Sequence, residues 1–125
     1  MVGRGRRIVT VLAALGLAAV VATPASADSA RCTAGCAGYA YFVSYGEHLY
    51  VEDRAADGHS AVAVWYTPWS GTRYVWNPHG AFGARADGNL SLAEGTGISY
   101  MVCLGEYGSR TVLWNTCSNP VADRA

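Results

Sequence analysis

Hydrophobic and polar residues alternate with a period of two over most of the chain beyond residue 38. Side chains that alternate in this way lie on opposite faces of a β-strand, and the runs are separated by Gly, Asp and Pro clusters typical of turns. No long run beyond residue 27 has the periodicity of an amphipathic helix. Strands are predicted at 39–45, 47–53, 60–66, 72–77, 90–92, 97–104 and 110–117.

The composition of three segments predicts more specific local structure. The run 60–66 is the most apolar, which predicts a central strand. Residues 54–58 end in Asp-Gly, where the positive φ of a tight turn favours glycine, and they predict a hairpin between the two flanking strands. Residues 86–89 predict another turn.

Seven or eight short strands at this spacing predict an all-β fold, a single immunoglobulin-like β-sandwich of antiparallel strands. The sandwich is expected at 39–117, after an N-terminal disulfide loop at 28–38 and before a loose C-terminal tail at 118–125. The total length of 125 residues allows one domain.

The first 27 residues predict a signal peptide. Three arginines, Arg4, Arg6 and Arg7, precede an apolar run at 8–22, and small residues follow at 25–27. The run is short for a membrane span, so we expect export by the general secretory route. The processed protein is then expected outside the cell or at its wall, with no stable membrane insertion.

Removal of that segment changes the charge. The whole chain has nine arginines, no lysine and nine acidic residues, so its formal net charge is zero. Because three arginines lie in the first seven positions, residues 28–125 keep six arginines against nine acids, a charge of −3. The six are scattered along the chain rather than clustered, which argues against nucleic-acid binding.

Four cysteines in a secreted domain of this size predict two disulfides, for which three pairings are possible. We expect Cys32–Cys36, a tight N-terminal loop, and Cys103–Cys117, which would join the last two strands. A nested pairing would instead pin the N-terminus to the last hairpin. Zinc is the competing interpretation of the first two cysteines, but the second two lack short ligand spacing and export favours oxidation.

No arrangement of residues predicts catalysis or a bound cofactor. Asp57, His59 and Ser60 are an acid, a base and a nucleophile in near succession, but a triad depends on geometry, and neighbouring residues on a strand face opposite ways. The glutamates are spread along a short chain and are expected at the surface rather than paired in a glycosidase cleft. Asp53, Asp57 and Asp87 lie at strand ends, where the loops of a sandwich can converge to bind calcium. Asp53 could equally cap a turn by accepting hydrogen bonds from backbone amides.

The aromatic residues are the feature of the sequence that indicates a binding function. Four Trp, eight Tyr and two Phe all lie beyond residue 27, more than one small core can hide. If exposed, the rings of a turn residue and of one face of the next strand would form a flat platform for a sugar ring or a partner protein. The competing interpretation is that Trp65, Trp76 and Trp114 pack in the core or its rim. The candidate binding residues are Trp69, Arg73, Tyr74 and Trp76.

Residues 53–62, Asp-Arg-Ala-Ala-Asp-Gly-His-Ser-Ala-Val, with Trp76-Asn77, Val102-Cys103 and Cys117, resemble the small exported β proteins that actinobacteria encode in numbers. The resemblance covers about residues 53–117. It rests on a hairpin turn, an apolar strand and a terminal disulfide, and it implies a fold and a compartment without a mechanism.

The chain is also similar to the proteinaceous α-amylase inhibitors of the same bacteria, in being secreted, all-β, aromatic-rich and held by two disulfides. The inhibitory contact of that family is a Trp-Arg-Tyr triplet on a hairpin. The nearest segment here, Thr72-Arg73-Tyr74, lacks the Trp, and the cysteine spacing differs.

Together these features predict a secreted, non-catalytic binding module that binds a glycan or the cell wall through exposed aromatics. Two other classes stay open: a small disulfide-stabilised inhibitor of a secreted amylase or protease, and a structural or interaction protein of the cell surface. The expected partner is a polysaccharide or a secreted protein.

Overall fold

The computed structural model describes residues 28–125, which form two antiparallel sheets packed face to face. The first sheet has the order β1 (Ser29–Cys32), β2 (Gly38–Val43), β3 (His48–Asp53), β6 (Ala86–Asn89). The second has the order β5 (Gly71–Trp76), β4 (Ser60–Thr67), β7 (Gly97–Glu106), β8 (Thr111–Leu113), and β9 (Val121–Arg124) also pairs with β7. Short 3-10 turns lie at Ala34–Cys36 and Trp114–Thr116. The predicted all-β sandwich is confirmed, and the predicted signal peptide at 1–27 lies outside the described residues.

The connectivity follows from which strands share a sheet. β1, β2 and β3 form a meander in the first sheet, β4 and β5 form a hairpin in the second, and β6 returns to the edge of the first. β7, β8 and β9 then complete the second sheet. In immunoglobulin domains the second and third strands lie in different sheets, so this sandwich has a different strand order.

The core lies between the sheets and is built from the alternate residues that face inward. Small alanines on β4 leave room for the two large rings of Phe42 and Tyr100, whose centroids lie 6.5 Å apart. The Tyr100 hydroxyl shares a hydrogen bond of 3.0 Å with Ser29 Oγ, which donates to Asp123. Burial raises the pKa of Tyr100. This partly buried network ties β1, β7 and β9 together beside the core. The buried core residues are Ala40, Phe42, Leu49, Val51, Ala61, Ala63, Trp65, Ala86, Ile98, Tyr100 and Val102.

β4 is the central strand that its apolar sequence predicts. It pairs with β5 on one side and β7 on the other, and residues 61–65 are buried on both faces. Ala61, Ala63 and Trp65 face the core. Val62 and Val64 face the other way and belong to a second apolar cluster on the outer face of the second sheet.

The predicted hairpin at 54–58 is wrong. Gly58 does adopt the expected positive φ of 79°, but β3 and β4 lie in different sheets. β3 already pairs with β2 and β6, so no edge is free to accept β4. The segment is therefore a crossing between the sheets.

Two further expectations are corrected along the second half of the chain. The predicted turn at 86–89 is strand β6, and the predicted strand at 90–92 is irregular. Gly88 is required by close packing rather than by a turn, because a Cβ there would lie 2.6 Å from Val75 Cγ2.

Both chain ends of the described region are part of the sheets. Residues 118–125 are not a loose tail, because β9 pairs with β7 from Gly97↔Arg124 to Tyr100↔Val121. Residues 28–38 contain β1 as well as the disulfide loop, so the sandwich extends beyond the expected 39–117 at both ends.

The expected disulfide pairing is confirmed, with bridges Cys32–Cys36 and Cys103–Cys117. Both bonds indicate an oxidising environment outside the cytoplasm. The second bond lies against Val62 and Val64, where Cys103 is fully buried.

Candidate functional site

The outer face of the second sheet carries the aromatic residues of β5. Antiparallel register places Trp76 beside Val62 and Tyr74 beside Val64. Paired residues project to the same face of a sheet, so both rings lie on the side opposite the core. The register therefore confirms the prediction that Tyr74 and Trp76 lie on the same face of β5.

Trp76 lies across the sheet toward β7. Gly105 makes this possible, because a Cβ at that position would lie 2.8 Å from Cη2 of the Trp76 indole. The Tyr107 ring packs against the same indole in an edge-on geometry, with centroids 6.1 Å apart at 62°. Trp76 is therefore fixed by its neighbours and only partly buried.

Trp114 approaches this face from the C-terminal side. The predicted strand at 110–117 ends at Leu113, and the chain turns back through Trp114–Thr116 to reach Cys117. The turn is held on β7 by the Cys103–Cys117 bond and by Thr116 Oγ1, which accepts a hydrogen bond of 2.8 Å from the Leu104 N–H. Trp114 stays 55% exposed.

These side chains border an open cleft of about 710 Å³, a size within the usual range of ligand sites. We call it the aromatic cleft. Tyr74 is 46% exposed there, so rings of several residues remain accessible. The aromatic cleft is lined by Trp65, Arg73, Tyr74, Trp76, Arg110, Thr111, Val112 and Trp114.

A smaller cleft of about 240 Å³ lies on the same face. It is bordered by Tyr66, Thr72, Met101 and Pro120, among others. Thr72 and Tyr74 are alternate residues of β5, so the two clefts are neighbours along that strand. The face as a whole therefore offers an extended surface rather than a single pocket.

Trp69 is separate from the aromatic cleft. It lies in the turn between β4 and β5, is 88% exposed, and is not among the residues that border the cleft. The turn is fixed by hydrogen bonds from the Trp69 and Ser70 N–H groups to Thr67 Oγ1, and from the Thr67 N–H to Ser70 Oγ. Of the four residues predicted to bind, the structure brings together Arg73, Tyr74 and Trp76.

Trp114 and Arg110 are two of the five lining residues that the sequence did not suggest for a binding role. The competing interpretation placed Trp114 in the core or its rim, and the 3-10 turn leaves it 55% exposed. The available signal was the expected bridge at Cys117, which draws the three preceding residues onto β7.

The Asp57, His59 and Ser60 group is not arranged as a triad. His59 Nδ1 lies 2.6 Å from Glu106 Oε2, whereas Asp57 Oδ1 accepts a hydrogen bond from the His59 backbone N–H at 3.0 Å. The imidazole is therefore paired with a residue of β7, and Asp57 caps the turn that precedes β4.

The outer face of the first sheet holds a different cluster, of tyrosines covered by arginines. The Arg54 guanidinium lies 3.9 Å from the Tyr39 ring centroid, and that of Arg85 lies 3.8 Å from that of Tyr50. Arg54 also forms an ion pair of 2.8 Å with Glu52. A cleft of about 440 Å³ beside them is bordered by Glu52, Asp53, Arg54, Phe82, Gly83 and Arg85.

The three aspartates considered for calcium are dispersed. Asp53 is buried, which raises its pKa, and Asp87 pairs with His48 at 2.7 Å on the outer face of the first sheet. Within residues 28–125, no three His, Cys, Asp or Glu side chains converge as a metal site would require.

Comparisons with protein-family models, with curated proteins and with solved structures found no match to this chain. No helix among the described residues has the length and apolar character needed to cross a membrane.

Proposed function

We propose that this protein is a secreted, non-catalytic binding module that holds a polysaccharide in the aromatic cleft. The observation that carries the proposal is that Tyr74, Trp76 and Trp114 border one open cleft while the core is complete on the other side of the sheet. Exposed rings that are not needed for the core are typical of binding surfaces, and their apolar faces can stack on the C–H faces of sugar rings.

Two of the aromatic residues that border the cleft lie on parts of the fold that neighbouring groups hold in place, and this favours a binding role. Trp76 is held by Gly105 and Tyr107, and the backbone of the turn that carries Trp114 is held by the Cys103–Cys117 bond. Side chains that are already fixed lose little conformational entropy on binding, so more of the contact energy appears as affinity. The neighbouring cleft along β5 favours a polymer over a single sugar, because a chain would occupy both.

Secretion is supported by the predicted signal peptide at 1–27 and by two disulfides. A non-catalytic role is supported by the separation of Asp57 from the His59 ring, which leaves the acid, base and nucleophile unconnected.

The test compares Trp114→Ala with Trp69→Ala in affinity electrophoresis on a panel of cell-wall and plant polysaccharides. Trp69 is the matched control because it is an exposed Trp outside the aromatic cleft. Loss of one stacked ring should weaken binding about tenfold, with Trp69→Ala unchanged. No binding to any polymer, or equal loss in both variants, would refute the proposal.

A second candidate function, inhibition of a secreted hydrolase, is favoured by one observation. The β4–β5 turn presents Trp69 at 88% exposure on a hydrogen-bonded loop, and Arg73 Nε donates to Ser70 O of the same loop at 3.2 Å. A rigid loop of this kind suits insertion into an enzyme cleft.

The same variants separate this function from the first. In a panel of amylases and proteases, an inhibitor should lose activity with Trp69→Ala and Arg73→Ala and keep it with Trp114→Ala. An uninhibited panel would remove this candidate.

A further inference from the structure

The aromatic cleft is positively charged, although the described part of the chain has more acidic than basic residues. Residues 28–125 have six arginines against nine acids, yet two of the six, Arg73 and Arg110, border the cleft. None of the nine acids, all of which lie in the described part of the chain, is among its lining residues. Charge of one sign in a cleft attracts ligands of the opposite sign.

Arg110 is held in place at one side of the cleft. Its guanidinium lies 3.6 Å from the Tyr107 ring centroid, and Nη1 donates to Tyr107 O. Tyr107 in turn packs edge-on against Trp76, so the cation, the phenol ring and the indole form one chain of contacts. A guanidinium has five N–H donors, and this arrangement uses one of them.

Arg73 belongs to the edge strand β5 and is exposed. It pairs with Trp65, so its side chain leaves the strand on the face opposite Tyr74 and Trp76, and it borders the aromatic cleft at the free edge of the sheet. Its Nε donates to Ser70 O at 3.2 Å, which leaves the other N–H groups of the guanidinium for a ligand. Among residues 28–125, the ion pairs are His48–Asp87, Arg54–Glu52 and His59–Glu106, so neither cleft arginine is neutralised by a carboxylate.

The cleft on the first sheet shows the opposite arrangement. Arg54 and Arg85 share it with Glu52 and Asp53, and Arg54 is paired with Glu52. An anion entering there would meet two carboxylates as well as two cations. No carboxylate borders the aromatic cleft, so its arginines are not neutralised in this way.

We propose that the polysaccharide of the aromatic cleft is acidic, and that Arg73 and Arg110 bind its carboxylate or phosphate groups while Tyr74, Trp76 and Trp114 stack on its sugar rings. This inference rests on the proposed function and names its ligand class. A guanidinium donates two parallel hydrogen bonds to either anion, so the geometry fits both groups.

The test measures binding of the oxidised protein to polygalacturonate, to its methyl ester, to phosphorylated dextran and to unmodified dextran. The ester and the unmodified dextran keep the sugar backbones and remove the charge. We expect at least about fivefold tighter binding of an acidic polymer than of its uncharged counterpart, weakening as ionic strength rises from about 20 mM to about 0.5 M. Whichever acidic polymer gains more affinity over its uncharged counterpart identifies the anion.

Variants assign the effect to the two arginines. Arg73→Gln and Arg110→Asn should each weaken acidic-polymer binding about two- to fivefold, as for an exposed charge pair, and should weaken ester binding by a smaller factor. Asn suits position 110 because Arg110 has a φ of 57°, which Asn tolerates. Arg124→Gln is the control, since its guanidinium also donates to a backbone carbonyl, Gly95 O, but lies outside the cleft.

The two proposals fail differently. Equal binding of the acidic polymers and their uncharged counterparts, with no effect of either arginine variant, would overturn the acidic ligand and leave polysaccharide binding standing. The acidic ligand would also be overturned if Arg124→Gln weakened acidic-polymer binding as much as Arg73→Gln and Arg110→Asn do. The net charge of the protein, rather than the cleft, would then explain the affinity. Absence of binding to every polymer would overturn the proposed function itself.

Discussion

Removing the Cys103–Cys117 bond should destabilise the fold more than removing Cys32–Cys36, and it alone should damage the aromatic cleft. The two bonds close sequence separations of 14 and 4 residues. Cross-linking lowers the entropy of the unfolded chain by an amount that grows with loop length, about 3 kcal/mol for the longer loop and about 2 kcal/mol for the shorter.

Packing increases the difference. Cys103 is fully buried beside Val62 and Val64, whereas Cys32 and Cys36 are only partly buried at the edge of the first sheet. Replacing Cys103 by Ala removes a buried sulfur from a packed cluster, which adds about 1 kcal/mol. The expected losses are therefore about 4 kcal/mol for the pair Cys103→Ala and Cys117→Ala, and about 2 kcal/mol for Cys32→Ala and Cys36→Ala.

The assay is urea unfolding of both double variants, with polysaccharide binding measured on the folded fraction. Because Cys117 anchors the turn that carries Trp114, the first variant should also bind more weakly, and the second should bind as the unmodified protein does. Equal losses of unfolding free energy would refute the loop and packing argument. Intact binding without the Cys103–Cys117 bond would refute the role of that bond in placing Trp114.

Three further predictions concern other parts of the fold. Gly105→Ala would place a Cβ 2.8 Å from the Trp76 ring, so it should cost about 1–3 kcal/mol in urea and change Trp fluorescence, whereas Gly108→Ala, which meets nothing within 4 Å, should do neither. Asn77→Ala removes buried hydrogen bonds from Nδ2 to Val51 O and Ala84 O, and should cost about 3 kcal/mol by the same measurement; a loss under about 1 kcal/mol would contradict this. Burial raises the pKa of Asp53 above its ordinary 3.8, so the folded protein binds this proton more tightly than the unfolded chain. The contribution of Asp53 to stability should therefore be greatest below pH 3.8 and fall as pH rises through the folded pKa, and Asp53→Asn should remove that decline in thermal unfolding.

Alternation along the chain was sufficient to place β2, β3, β4, β5 and β7, because each has one face in or against the core. The other face of β4 is buried in the second apolar cluster. Alternation did not predict β6 and β9, because their strand conformation depends on tertiary contacts. β6 has the turn-like sequence Ala-Asp-Gly-Asn and becomes a strand because Gly88 fits under Val75. β9 becomes a strand because β7 is ten residues long and has an edge left to pair beyond β8.

The candidate site was predictable to the same extent. The shared face of Tyr74 and Trp76 follows from their spacing on one strand. Trp114 and Arg110 could not be placed, because their positions depend on where β8 ends and on the turn at residues 107–110. Trp69 was grouped with β5 because it is close in sequence, but the turn directs it away from the aromatic cleft.

The arrangement of the second sheet separates stability from binding. Its inner face completes the core through Ala61, Ala63 and Trp65, while its outer face is only partly covered, by the segment that Cys117 holds. Polar residues at the exposed positions of that face would leave the core contacts unchanged, and exposed aromatic rings add little to stability where water still reaches them. On the proposed function, the rings of Tyr74 and Trp114 contribute to contact with a ligand rather than to the core. Substituting Trp114 should accordingly reduce binding with little change in unfolding free energy, whereas substituting Cys103 should reduce both.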